Sequence, residues 1–172
     1  MKAIDAIRDA LSSGDHNIRH IEDMRDSPVT VPGPQGGNHP LWILGHLTIA
    51  EGRLRQIVLG EAHPVQHWKP LFDWGSEPIS DVDAYPPFDE VLQTYRELRA
   101  RNLQLLDEIG EAGLDRPTKA PPPGLEQAFR TIGQAFLTIA LHQAFHSGEA
   151  AAARRASGRK PFFVPSEELR RS

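Results

Sequence analysis

Apolar residues recur every three to four positions in four stretches of this chain, and clusters of proline and glycine separate them. That spacing predicts helices. In residues 2–25, Ile4, Ile7, Leu11, Ile18 and Ile21 share one helical face, with charged residues between them. Residues 26–38 contain three prolines and three glycines and read as a loop. The second helix spans residues 40–59, with Asn38 or His39 near its N-cap and Gly60 as its stop. Its apolar stripe comprises Ile43, Leu47, Ala50, Leu54, Ile57 and Val58. The third spans 88–109, with Phe88, Val91, Tyr95, Leu98, Asn102, Leu105 and Ile109 on its inner line. The fourth runs from about 125 to 157, with Phe129, Ile132, Phe136, Ile139, Ala150 and Ala153 inward and Gly158 ending it. Residues 159–172 read as an irregular tail, with Phe162 and Phe163 tucked against the helices.

The connections bear on topology. Residues 61–87 carry five prolines together with Trp68, Phe72 and Trp74, and a helix hairpin needs far fewer linking residues. A link of this length predicts a crossover that returns the chain to its starting end, with helices two and three parallel. Its aromatic residues are expected to pin the loop to the bundle. Residues 110–124 hold four prolines, three of them consecutive, and end helix three. The expectation is one all-α domain over residues 1–172, a four-helix bundle with a long crossover between helices two and three.

Composition narrows the function. With 39% hydrophobic and 24% charged residues among 172, the chain reads as an ordinary globular protein. Its net charge of −4 supplies no attraction to nucleic acid or to an acidic membrane surface. No stretch approaches the roughly 20 apolar residues that a membrane span needs, and residues 1–5 open an amphipathic pattern rather than a signal peptide. A cytoplasmic protein with neither nucleic-acid nor membrane partner is expected. The absence of cysteine excludes disulfides, iron–sulfur clusters and a thiol nucleophile, so any transition metal must be held by His, Asp or Glu.

Histidines then become the candidates. His142 and His146 stand four residues apart on the fourth helix, one turn above each other, and straddle its inward stripe. His46 lies roughly 60° from the centre of the second helix's stripe and also points inward. Three imidazoles on two helices are costly in a core unless something satisfies them together, and a divalent ion does so. They leave at least one coordination position open, as in catalytic zinc sites. Taken alone, His46 is better explained as a core-edge histidine hydrogen-bonded to a neighbour. His16 and His20 share the four-residue spacing but fall on the face opposite Ile4, Leu11 and Ile18, where they are expected to be solvent-exposed.

Gly45-His46-Leu47, joined to His142-x3-His146-x-Gly148-Glu149, resembles the DinB/YfiT-like superfamily of metal-binding four-helix bundles. The segment Lys69-Pro70-Leu71-Phe72-Asp73-Trp74-Gly75-Ser76 is similar to the inter-helix loop of one of its branches. The resemblance implies an up-down-down-up bundle, a homodimer, and one divalent ion on His46, His142 and His146: nickel or zinc first, iron next. It also implies, from some relatives, transferase or isomerase chemistry with a low-molecular-weight thiol such as bacillithiol or mycothiol. Two positions depart from the family pattern: Ser147 stands where a basic residue is frequent, and Glu149 where glutamine is common.

Two function classes follow. The first is a metal-dependent transferase or hydrolase acting on a small-molecule substrate, with Trp42 and Trp74 walling a pocket at the histidines. Glu149, three residues past His146, would then serve as base, as fourth ligand or as a hydrogen-bond acceptor behind a ligand, or would simply be a solvated acid. The alternative is a non-enzymatic bundle whose ion is structural or sensory. That class is favoured by the lack of a nucleophile triad, phosphate loop or nucleotide signature.

Overall fold

The computed structural model describes residues 1–160 and Phe162, without the side chains of His16 and Asn17. Five α-helices follow one another: α1 Ala3–Glu22, α2 Pro40–Leu59, α3 Lys69–Phe72, α4 Phe88–Ile109 and α5 Ile132–Ala156. No strand occurs among the described residues. Four long helices form the bundle, and α3 is a single turn inside the 61–87 connection. The long first helix packs mainly on α5, and α2 packs on both α4 and α5.

Two apolar clusters divide the core along its length. Leu41, Leu44 and Ile49 from the first half of α2 join Val91, Tyr95 and Leu98 from the first half of α4. Leu54, Ile57 and Val58 join Leu105 and Leu106 in the other cluster. The outer pair contributes in the reverse order, Ile7, Leu11, Ile132 and Phe136 to the second cluster, and Ile18, Ile21 and Ala150 to the first.

The central helix departs from the stripe that its sequence suggests. Sixteen of the twenty residues of α2 are buried, including every residue from Pro40 to Gly52. A helix apolar all round belongs inside a core, and α2 has α4, α5 and the α3 turn on its several sides. Its start is the one expected: Pro40 is the first helical residue, and the buried His39 side chain accepts a hydrogen bond from the Trp42 amide at 3.0 Å. Gly60 closes it at φ +73°, a conformation that costs glycine little.

The fourth long helix begins later than its apolar pattern predicts, at Ile132 rather than near Leu125. Thr131 and Gln134 form a capping box, a threonine–glutamine pair three residues apart that was legible in the sequence. Upstream, the hydroxyls of Thr118 and Thr138 donate to the carbonyls of Phe129 and Ala128 at 2.6 and 3.0 Å. Those carbonyls are thereby used by side chains, and residues 125–131 stay a turn whose Leu125 and Phe129 face the second cluster.

The control histidines separate. His20 is half-buried rather than solvent-exposed, because Phe162 packs 4.9 Å from its ring. Burial lowers its pKa, and the nearby Arg154 and Arg155 charges act the same way. The His16 side chain lies outside the described residues, as does Phe163. No described helix is long and apolar enough to cross a membrane.

Candidate metal centre

His46 on α2 and His142 and His146 on α5 meet at the interface of these two helices. The Nε2 atom of His142 lies 3.1 Å from that of His46 and 3.0 Å from that of His146. All three ligand nitrogens lie within 4.8 Å of one another, the single such grouping of metal-ligating side chains among the described residues. His46 and His146 are buried, and His142 is half-buried.

The other ring nitrogens decide what the converging ones offer. His46 Nδ1 donates to the Phe72 carbonyl at 2.7 Å, and His146 Nδ1 donates to the Glu149 carboxylate at 2.6 Å. Each bond fixes the proton on Nδ1 and leaves a lone pair on Nε2. His142 can give its own Nε2 proton to only one of these neighbours. Without a cation, at least one of the converging lone pairs is left with no donor. A cation accepts all three. Metal–nitrogen bonds of about 2.0–2.1 Å place neighbouring ligand nitrogens roughly 3.0–3.4 Å apart, and both spacings from His142 fit that range.

Electrostatics favour the neutral form of His142 and His46, the form that ligates. Burial, followed by the neighbouring imidazoles and Arg53, pushes His142 down to about 3. Burial also lowers His46, against the opposing pull of the Phe72 carbonyl. Elsewhere in the core, buried histidines are satisfied by ordinary backbone acceptors. His39 Nε2 meets the Ile79 carbonyl and His63 Nε2 meets the Ile49 carbonyl, each at 3.0 Å. The converging trio lacks such acceptors on its Nε2 atoms.

Glu149 stands behind His146, on the Nδ1 side and away from the converging nitrogens. Asn38 donates to both of its oxygens at 3.2 and 3.3 Å, which fixes the carboxylate. Ser147 turns back along the helix to donate to the Gln143 carbonyl at 2.8 Å. Trp42 is buried and stacks on His46 with ring centroids 4.7 Å apart, so it backs the cluster. Trp74 is 56% exposed and lines a cavity of about 130 Å³ that reaches His46 and His142.

Four contributors carried no obvious sequence signal or a faint one. The Phe72 carbonyl is backbone and has no side-chain signature. Its place depends on Gly45, where a Cβ would collide with the Phe72 ring. Asn38 precedes α2 as a loop residue. Arg53 lies seven residues past His46, two turns along the same face, which was legible. Its Nη2 reaches both Asp73 oxygens at 2.5 and 2.6 Å, and its guanidinium lies 4.8 Å from the Trp74 ring centroid. Burial alone would raise the Asp73 carboxyl, but bonds from Arg53 and from the Trp74 amide hold it below its ordinary value.

A helical bundle with three histidine nitrogens converging between two core helices defines a class: an all-α protein with a candidate transition-metal centre. Residues 8–150 match the model of the DinB superfamily, which is most of the chain, and the protein belongs to that family. No curated protein gives a significant match.

Proposed function

We propose that the protein binds one divalent transition metal on His46, His142 and His146 and is a metal-dependent transferase or hydrolase for a small molecule. The observation that carries this is the orientation of the trio. Two of the rings are locked by Phe72 and Glu149 into the tautomer that points a lone pair at the third. Nickel and zinc suit three neutral imidazoles, and iron follows. A bound ion supplies Lewis acidity, acidifying a water or a low-molecular-weight thiol at its open position.

The chain's own residues orient and shield. Glu149 is a positioning residue in this reading: it holds the His146 ring in that orientation, and Asn38 holds Glu149. Trp42 excludes water from one side of His46. Trp74 and Arg53 border the cavity through which a substrate arrives. The order of the helices in the two apolar clusters supports an up-down-down-up bundle in which residues 61–87 make the crossover. Leu137, Leu141 and Phe145 form an exposed apolar line along α5, and Phe145 packs 5.1 Å from His146. That line supports a homodimer whose contact lies beside the metal.

The test is elemental analysis of untagged protein beside His142→Ala and His146→Ala. About one equivalent of nickel, zinc or iron in the wild type, lost in both variants, is expected. Thiol-transfer assays with glutathione, bacillithiol and mycothiol then follow on the loaded protein. No stoichiometric metal after reconstitution with each ion would sink the proposal. Metal that is retained, and whose removal abolishes dimerisation without any small-molecule binding, would instead favour a structural or sensory ion.

A further inference from the structure

The cavity beside His46 and His142 has walls of one chemical kind. Ile49 and Ala50 from α2, Ile139 from α5, and Leu125 and Phe129 from the 125–131 turn supply them. The two remaining polar side chains along it each turn a group to a partner in the protein. The Thr138 hydroxyl donates to the Ala128 carbonyl at 3.0 Å. Arg53 is held by both Asp73 oxygens and lies over Trp74, so its charge is compensated. Trp74 and Ala128 are the exposed lining residues and mark the mouth.

We infer that the substrate group delivered to this site is apolar, uncharged and about the size of a benzene ring. The inference rests on the metal reading above for its chemistry, but its argument is the cavity's own. An apolar cavity of about 150 Å³ accommodates benzene, and this one measures about 130 Å³. Away from the ion itself, an ionic or multiply hydrogen-bonding group would lose its water against these apolar walls and find little to replace it. An apolar group of the right size loses nothing and gains contact with five aliphatic and aromatic walls. With His46 and His142 at the inner end, such a group stops beside the metal ligands. Specificity for the acceptor is thus set by size and by exclusion of charge.

The experiment is titration of full-length protein, kept metal-free so that no ion can take up a carboxylate, with benzene, benzoate and naphthalene, followed in methyl NMR spectra, with benzene repeated on the metal-loaded protein. Benzene is expected to shift the methyls of Ile49, Ile139 and Leu125 saturably. Benzoate, which adds a charge, and naphthalene, which adds a ring, are expected to bind at least about tenfold more weakly. Ala128→Trp, at the exposed mouth, is expected to weaken benzene by about tenfold or more while metal content and melting temperature hold. Benzoate binding as tightly as benzene, or no shift of those methyls, overturns the inference, and the wild-type comparison decides it even if the variant folds poorly. Metal retained without benzene binding defeats this inference alone. Benzene binding in a wild type that takes up no metal defeats the metal reading and leaves the cavity's selectivity standing.

Discussion

Glu51 lies five residues past His46 on α2, and Gln143 is the neighbour of His142 on α5, yet the polar clusters they belong to are held by opposite means. In the first, Arg99 Nη2 bonds to Glu51 at 2.9 Å and to the Tyr95 hydroxyl at 3.0 Å, and also to Gln143. Asn102 donates to Glu51 at 2.7 Å, and Gln143 donates to Tyr95 at 2.6 Å. Donors meet acceptors and a cation meets an anion, all deep in the core. In the second, two acceptors share at most one donor. Buried polarity by itself therefore does not mark a site. The mark is a set of groups whose demands are alike, so that only something from outside the chain can answer them.

Breaking the charge-paired cluster is expected to have the largest effect. Arg99 and Glu51 are 4% and 1% exposed, and Arg99→Met strands a buried carboxylate. Loss of about 3–5 kcal/mol in urea unfolding is expected, as for other buried pairs deprived of one partner. Metal content per folded molecule is expected to stay unchanged, because no bond of the histidine trio involves Arg99. Metal loss in proportion to the stability loss would mean that the two clusters are one.

The complementary break is Gly45→Ala. A methyl group there meets the Phe72 ring. Moving Phe72 moves the carbonyl that orients His46, and loss of such an orienting partner typically lowers metal affinity by about 10–100-fold. Competition with a chromophoric chelator measures it. A stability loss without any change in affinity would show that Gly45 serves packing alone.

The same two clusters explain what was readable in the chain. His142 and His146 declared themselves by spacing, and His46 by its angle to an apolar stripe, because ligands on helices obey the helical period. Asn102 was legible as an inward polar residue for the same reason. Arg99 was not. An arginine four residues past Tyr95 looks like a surface cation until Glu51 and Gln143, from two other helices, are brought to it. The α5 boundary was misplaced because apolar periodicity continues through Leu125 and Phe129, although the threonine–glutamine capping box marked the true start. The aromatic loop was readable as a tether and not as a supplier of a ligand's partner, since that partner is a backbone carbonyl.

The smallest effect expected is in pH dependence, and it separates the clusters without altering either sequence. In the metal-free folded protein, His142 takes up its proton near pH 3, whereas the unfolded chain does so near the ordinary value of about 6.5. Between those values the unfolded state binds more protons, so stability rises with pH. The contribution of His142 is complete above about 6.5 and is lost as pH falls toward 3. His46, lowered by burial, acts in the same direction. One such group gives a slope of at most about 1.4 kcal/mol per pH unit, and the partial exposure of His142 brings it below that. Urea unfolding of metal-free protein between pH 7 and pH 5 is expected to show the decline, and His142→Ala to flatten it. Metal affinity should fall through the same window, because protons and the ion compete for the same lone pairs. In the first cluster burial raises the Glu51 carboxyl, against the pull of Arg99 and Asn102, so that group contributes a slope of the opposite sign. A slope unchanged in His142→Ala would move the titration elsewhere in the core and remove the crowding of lone pairs on which the contrast between the two clusters depends.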